Sequence, residues 1–408
     1  ILIPDMEFAG TSKIDPFDST QGQNGTLFID ANRLKEILAA ADSRIETIEC
    51  DIARPGESTR IIPVKDVIEP RIKADGSGIA FPGLISGTEL VGTGTTLALK
   101  GLAVTTVGPI VGFQEGLIDM SGPGAEYSVF SKLVHLVLDI KVREGLTRYE
   151  HEEVLRFAGL RAAKFLAEIG IGAAIDEIEI FPVPEIFPSV EEEQYSRAMG
   201  IGATKPRIAY LYMLQSQGLL HDTYYCGVDV KKILPTLISP TEIFDGAIVS
   251  GNCVSACDKN TTWHHQNNPV IAELLRRHGR DLYFCGCVIT NENVTLADKK
   301  RSSVLATRLI ASLKPDGVII SKEGFGNPDA DLTMNCQKIE ELGIKTVSLT
   351  DEYAGQDGAS QSLADITPEE NAIVSTGNAN ELITLPAMEK IIGSPDIITK
   401  LTGGSPKS

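Results

Sequence analysis

A chain of 408 residues exceeds one ordinary domain, and two or three are expected. A hydrophobic fraction of 42% and a charged fraction of 23% leave enough apolar material for a sizeable core. The 37 basic residues against 55 acidic ones give a net charge of -18, a surface that repels phosphate backbones and anionic lipid heads, so no nucleic acid and no membrane is expected as a partner.

No apolar run approaches the about 20 residues needed to cross a bilayer. The start of the chain has no basic segment followed by a long apolar stretch, so no secretory signal is expected and the chain is read as cytoplasmic. The 7 cysteines are odd in number, and most fall after residue 250. A secreted disulfide framework does not fit so large a chain, whereas free thiols in a reducing compartment do.

Taken in chain order, residues 44–53 alternate like a strand, residues 95–107 are β-rich and broken by Gly101, and residues 127–142 read as a long strand or hairpin. A strong helix follows over residues 149–169, with Val154, Leu155, Ala158, Ala162, Phe165 and Leu166 at helical spacing. Strands are expected at 175–181 and 207–214. From residue 240 the pattern becomes regular: strands at 243–250, 281–289, 317–321, 344–349 and 372–375 alternate with helices at 269–278, 296–313 and 330–342. Pro269 suits a helix start, and Gly279 and Gly343 suit helix ends. The expected fold class is α/β: an N-terminal α+β region over residues 1–239, a doubly wound parallel-sheet domain over 240–400, and a flexible tail over 401–408.

Open parallel sheets bind ligands beyond the carboxyl ends of their strands. The residues just past the expected strands are Gly251, Asn252 and Cys253, then Thr290, Asn291 and Glu292, then Lys322 and Glu323, then Asp351 and Glu352, and finally Gly377 and Asn378. The sharpest stretch among them runs from Ser250 through Cys253 and Cys257 to Asp258, followed by Trp263, His264 and His265.

Several readings of that stretch compete. The first takes Cys253 as an ordinary buried cysteine at a strand end. Cys253, Cys257, His264, His265, Cys285 and Cys287 are zinc-ligand types, but their spacing is not that of a ribbon or finger, and no metal is assigned. A thiolate nucleophile with a histidine base is a third reading. In a fourth, the Cys253 sulfur attacks the carbonyl of Asn252, beside a Gly251 that tolerates strained backbone. Loss of sulfur and hydrolysis then leave a pyruvoyl group on a new N-terminus. From these residues alone all four stay open.

Three longer segments carry a resemblance. They are Asp51-Ile-Ala-Arg-Pro-Gly-Glu-Ser-Thr-Arg-Ile-Ile-Pro-Val-Lys-Asp-Val-Ile-Glu-Pro-Arg71, Gly251-Asn-Cys-Val-Ser-Ala-Cys-Asp-Lys-Asn-Thr-Thr-Trp-His-His-Gln-Asn-Asn-Pro269 and Lys322-Glu-Gly-Phe-Gly-Asn-Pro-Asp329. Together they resemble the substrate-binding component B of the glycine/sarcosine/betaine reductases, glycine reductase most of all, over nearly the whole chain. The resemblance implies a precursor split between Asn252 and Cys253, with Cys253 becoming the pyruvoyl cofactor. It implies reductive deamination of glycine or sarcosine in amino-acid fermentation, with a disulfide or thioredoxin as electron source. It also implies a hetero-oligomer with a selenoprotein subunit of the same component and a small selenoprotein carrier.

In that scheme the substrate amine condenses with the pyruvoyl carbonyl as an iminium, and a partner selenolate attacks the α-carbon. Betaine, a quaternary amine, cannot form an iminium and ranks below glycine and sarcosine. His264, His265 and Glu323 are the candidate acid, base and ordering groups, and Arg54, Arg60 and Lys322 the candidate substrate-binding cations. Salt bridges with Glu57 or Asp51 compete for the two arginines. Two other classes remain beside this one: a pyruvoyl-dependent decarboxylase, and an uncleaved subunit holding metal through its Cys/His cluster.

Overall fold

The computed structural model describes residues 1–8, 26–109, 116–182, 205–218, 222–251, 260–324, 326–350, 367–375 and 383–394. Its mixed α/β content is organised around two six-stranded sheets. In the first sheet the strands Lys390–Gly393, Thr59–Ile68, Leu102–Val107, Val134–Val142 and Ile45–Ala53 lie side by side, and Gly116–Asp119 pairs with Thr59–Ile68. The helix Arg148–Ile169 covers one face, opening on a capping box between Thr147 and Glu150. Its Val154, Leu155, Ala158, Ala162 and Leu166 pack with Ile68, Val104, Leu136 and Leu138. Gly159 lets helix and sheet approach closely, because a Cβ there would stand 2.6 Å from Thr106 Cγ2.

The second sheet has the order Thr236–Ile238, Tyr283–Asn291, Arg207–Leu214, Gly317–Ser321, Lys345–Thr350 and Ile373–Ser375. All neighbours are parallel except the first pair. The period-2 alternation of a strand decides what covers each face. Ala209, Leu211 and Met213 pack with Ala306, Ile310, Leu332 and Ile339 of the helices Leu296–Ser312 and Asn327–Glu340. Tyr210, Tyr212 and Leu214 pack on the other side with Ile271 and Leu275 of Pro269–Arg277. The sheet is therefore covered on both faces, as expected of a doubly wound arrangement.

Several expectations need correction. Only Ile248–Ser250 of the expected strand 243–250 is extended, and it pairs antiparallel with Thr223–Tyr225 in a small separate sheet. Residues Pro240–Asp245 form a 3-10 helix, because Ser239 and Glu242 make a capping box, Pro240 favours a helix start, and Gly246 ends the turn at φ 74°. Within 127–142 a 3-10 turn, Val129–Lys132, precedes the strand. No strand forms over 175–181, where Ile178 and Ile180 are exposed and the alternating apolar residues meet no neighbouring strand. Strand membership also crosses residue 239 in both directions. Arg207–Leu214 lies inside the second sheet, and Lys390–Gly393 joins the first.

One short helix, Thr262–Gln266, sits between the sheets and bonds to both sides. The Thr262 N–H donates to Asp66 Oδ1 at 2.9 Å and its hydroxyl to Asp66 Oδ2 at 2.6 Å. The same hydroxyl accepts the Ser250 N–H at 2.9 Å. The Gln266 side chain accepts the Glu69 N–H at 3.0 Å and donates to the Glu69 carbonyl at 3.1 Å, as a missing strand partner would. Beside it, Arg71 and Lys100 both pair with the Glu69 carboxylate, at 2.7 and 2.8 Å.

These contacts make two predictions. Thr262→Val keeps the side-chain volume but takes one donor from the buried Asp66 carboxylate and the acceptor from the buried Ser250 N–H, so it should cost about 3 kcal/mol, with Thr262→Ser recovering most of the loss. Urea unfolding of both variants checks this, and equal stabilities would contradict it. The second concerns acid. Burial pushes the Glu69 carboxyl up, but Arg71 and Lys100 outweigh burial and hold the group below its ordinary value of 4.5. A depressed carboxylate contributes stability above its unfolded value and loses it as the pH falls through its folded one. The stability gap between wild type and Glu69→Gln should therefore be widest near neutrality and shrink as the pH falls below the ordinary value of 4.5. Urea titrations across that range that find a constant gap would contradict the assignment.

Candidate active site

The carboxyl edge of the central parallel strands gathers a buried polar cluster. Gln215 follows the strand ending at Leu214, Glu292 follows Asn291, and Lys322 and Glu323 follow Ser321. All four are buried. Strand register makes them neighbours, with Leu214 opposite Asn291 and Tyr212 opposite Ser321.

Glu323 lies at the centre. Its backbone N–H donates to Glu292 Oε1 at 2.8 Å. Its own carboxylate accepts the Asn260 N–H at 3.1 Å through Oε2, and its Oε1 stands 3.9 Å from His265 Nε2. His265 Nδ1 hydrogen-bonds the Tyr212 hydroxyl at 2.7 Å, which fixes the ring and leaves Nε2 toward Glu323. Burial, and after it the charge of Glu323, pushes the Glu292 carboxyl well above the usual carboxylate range. Among the described residues Glu292 Oε2 and Gln215 Oε1 find no hydrogen-bond partner.

The expected site residues part company here. His265, Glu323 and Lys322 come together at this edge. Lys322 Nζ is committed to Asp329 and to the Gly324 carbonyl, so it ties the strand end to the helix Asn327–Glu340. His264, one residue earlier, faces away. Its Nδ1 accepts the Thr261 N–H at 3.2 Å in a capping box, and its ring packs on Phe130 at 5.0 Å. Burial lowers its pKa to about 4, so the ring is neutral near pH 7.

The two arginines belong to the first sheet. Arg54 pairs with Asp5 at 2.6 Å and Glu57 at 3.6 Å. Buried Arg60 makes its two-armed grip on Asp119, at 2.6 and 2.8 Å, and donates to the Pro386 carbonyl. The bidentate carboxylate contact expected of a substrate is thus made within the fold. Asn252, Cys253 and Cys257 lie outside the described residues. The flanks of that stretch are fixed: Gly251 N–H donates to the Asp222 carbonyl at 2.7 Å, and Asn260 is held by Glu323.

Cys285 and Cys287 point to opposite faces of their strand. Ala209 pairs with Gly286 while Ile208 pairs with Phe284, so Cys285 is the extra residue of a bulge and the alternation flips across it. Among the described residues no group of three or more His, Cys, Asp or Glu side chains is arranged to hold a metal ion.

Sequence reading missed Tyr212 and Gln215, and it gave Glu292 no role. Tyr212 reads as core and Gln215 as loop until the register of Arg207–Leu214 against Gly317–Ser321 is known. The signal available was that Arg207–Leu214 is an uninterrupted apolar strand, of the kind buried on both faces in the middle of a parallel sheet.

Comparison with known proteins agrees over the whole length. A family described as glycine/sarcosine/betaine reductase component B subunits matches residues 8–408. The chain is 53% identical over 406 residues to the glycine reductase complex component B subunits alpha and beta of Acetoanaerobium sticklandii, covering 99% of this chain and 90% of that protein. It is 47% identical to the sarcosine reductase complex component B subunit alpha of Peptoclostridium acidaminophilum, at 99% and 90% coverage. At 22% identity it also matches the D-proline reductase proprotein PrdA of A. sticklandii, covering 83% of this chain and 53% of that one. No solved structure matches. No helix among the described residues is long and apolar enough to cross a membrane. The chain belongs to the family of glycine/sarcosine/betaine reductase component B subunits.

Proposed function

We propose that this chain is the self-processing, substrate-binding subunit of an amino-acid reductase that acts on glycine, or on sarcosine after it, with betaine third. Its relatives are named as components of glycine and sarcosine reductase complexes, and one is named a proprotein. The observation that carries the reading is that Asn260, which follows the Asn252–Cys253 stretch, is held by Glu323 at the edge where His265 and Glu292 also lie.

Cleavage at Asn252–Cys253 is the proposed processing step, with Cys253 as the source of a pyruvoyl group. The residues present fit such a group. Among the described residues the edge offers buried acceptor oxygens without a partner, Glu292 Oε2 and Gln215 Oε1, which suit the N–H groups of a substrate amine held beside such a group. When bound there, a pyruvoyl supplies an electron-withdrawing carbonyl that can engage a substrate amine. His265 then holds or moves a proton at Nε2, Glu323 aims that nitrogen and anchors Asn260, and Tyr212 fixes the ring. His264, Lys322, Arg54 and Arg60 hold the scaffold.

The nucleophile comes from a partner, proposed to be a selenolate on a selenoprotein subunit, with a small selenoprotein as carrier. A disulfide or thioredoxin is the proposed electron source. The cysteines of the described residues do not suit the role. Burial pushes the thiols of Cys50, Cys226, Cys285 and Cys336 up to about 11, and that of Cys287 higher still. A thiol in that range holds almost no thiolate near pH 7.

Both proposed products would share both large sheets. Strands before residue 252 and strands after it pair in each. Intact-mass spectrometry of the active complex, with and without phenylhydrazine, tests the scheme. Two chains matching 1–252 and 253–408 are expected, the second with a hydrazine-reactive start, and both in one native gel-filtration peak. Cys253→Ala should abolish cleavage and adduct together. An active complex whose chain is intact and takes up no trap would falsify the proposal.

A further inference from the structure

Asp222 stands directly across from Gly251, the residue that leads into the Asn252–Cys253 stretch. Thr223 pairs with Ser250 in antiparallel register, and the Gly251 N–H donates to the Asp222 carbonyl at 2.7 Å, so the ladder runs one step beyond the strand Thr223–Tyr225. Asp222 is 1% exposed. Its partner across the ladder is a glycine, which has no side chain to cover a carboxylate.

The two oxygens of that carboxylate are treated differently. Oδ2 accepts the Gly218 N–H at 2.8 Å and lies 3.6 Å from Lys231 Nζ, which itself donates to the Gly218 carbonyl at 2.7 Å. Oδ1 has no hydrogen-bond partner among the described residues. Gly218 leaves room for it, because a Cβ there would stand 2.1 Å from Oδ1. A bare buried acceptor destabilises a fold. Here the side chain is anchored by one oxygen, and the other is left open all the same.

Gly251 joins Asn252 directly, so the backbone hydrogen bond ties this carboxylate to the proposed cut. Two residues of chain span at most about 7 Å, which keeps the Cα of Cys253 within that distance of the Gly251 Cα. The neighbouring carboxylates are placed otherwise. Glu323 holds Asn260, beyond Cys253 in the chain, and both oxygens of Asp66 accept from Thr262. An N-to-S acyl shift needs a group that removes a proton from sulfur and returns one to nitrogen. A carboxylate with one anchored and one open oxygen suits that work.

We propose that Asp222 is the proton carrier of this cut, a role that rests on the self-processing proposed above. As the Cys253 sulfur bonds to the Asn252 carbonyl carbon, Oδ1 takes the thiol proton. As the C–N bond of the same peptide breaks, Oδ1 gives that proton to the Cys253 nitrogen. A peptide becomes a thioester with a free amine, and the carboxylate ends as it began. The later loss of sulfur is a separate step.

Cell-free synthesis of the full chain with the rest of its complex, sampled over time by intact-mass spectrometry, tests this. Wild type should split into 1–252 and 253–408, and Asp222→Asn should do so about a hundredfold more slowly. Asp222→Glu, which restores the carboxylate with one extra methylene, should split about tenfold faster than the Asn variant. Thr223→Val removes the adjacent buried hydroxyl, which also lacks a partner among the described residues, and should split at the wild-type rate. Neutral hydroxylamine opens thioesters and leaves peptide bonds, so it should leave Asp222→Asn whole. With wild type splitting, four results overturn the role of Asp222 and leave self-processing standing. They are an Asn variant as fast as wild type, a Glu variant no faster than Asn, a Thr223→Val chain as slow as Asn, and hydroxylamine cleavage of the Asn variant at Asn252. A wild type that stays whole and takes up no phenylhydrazine removes the processing itself, and the role of Asp222 with it.

Discussion

A single hydroxyl group ties the molecule together. Thr262 Oγ1 gives its proton to the buried Asp66 carboxylate of one sheet and accepts the Ser250 N–H of the small sheet beside the other. A hydroxyl is the side-chain group that can donate in one direction and accept in another at the same time. Four residues along, Gln266 repeats the logic with an amide, giving the Glu69 backbone both the donor and the acceptor it needs. The segment that starts at Asn260 is thereby a fixed wedge, and it sets the height at which His265 meets Tyr212 and Glu323. Because the wedge is polar, its cost is only recovered when every partner is present. A shift of either sheet would leave a carboxylate or a peptide group bare in the interior.

Much of this was legible in the residues and some was not. The regular alternation after residue 269 was readable, since helices such as Pro269–Arg277 and Leu296–Ser312 carry both their period and their caps in the sequence. The strand Gly317–Ser321 was read with its observed ends. Sheet membership was not readable, because pairing depends on contacts remote in sequence. Arg207–Leu214 has a strand's composition, but nothing in it says that it lies between Tyr283–Asn291 and Gly317–Ser321. The same holds for Lys390–Gly393, which returns across the molecule to pair with Thr59–Ile68. The misread strand at 243–250 has a different cause. Its apolar run outweighed a capping box and a proline that together specify a turn of 3-10 helix.

The candidate site shows the same division. Position after a strand marked Glu323, closeness in the chain to Cys253 marked His265, and those two residues do meet. Arg54, Arg60 and His264 were chosen for what their side chains can do in solution, and the fold uses that same chemistry on itself. A guanidinium that can grip a carboxylate two-handed finds Asp119, and an imidazole nitrogen that can accept a proton finds the first N–H of a helix. Residue type alone cannot tell an internal partner from an external one. What distinguishes them is whether the partner is already in place.

That criterion explains why the edge of the second sheet, rather than the arginine-bearing region of the first, is where chemistry is best supported. At the edge, burial has been imposed on groups that are not all satisfied: Glu292 and Gln215 each keep an oxygen without a hydrogen bond among the described residues. Such groups cost stability, of order 1–3 kcal/mol each, and a fold under selection for stability alone would replace them with apolar side chains of similar size. Arg60 and Asp119, by contrast, complete each other, and Arg54 is half exposed with two carboxylates at hand. Polar atoms go unpaired at these strand ends, whereas Arg54 and Arg60 find their carboxylates inside the fold. The difference follows from the parallel sheet itself, whose central strands must stop somewhere, and whose last backbone groups and first loop side chains are then held rigidly beside one another.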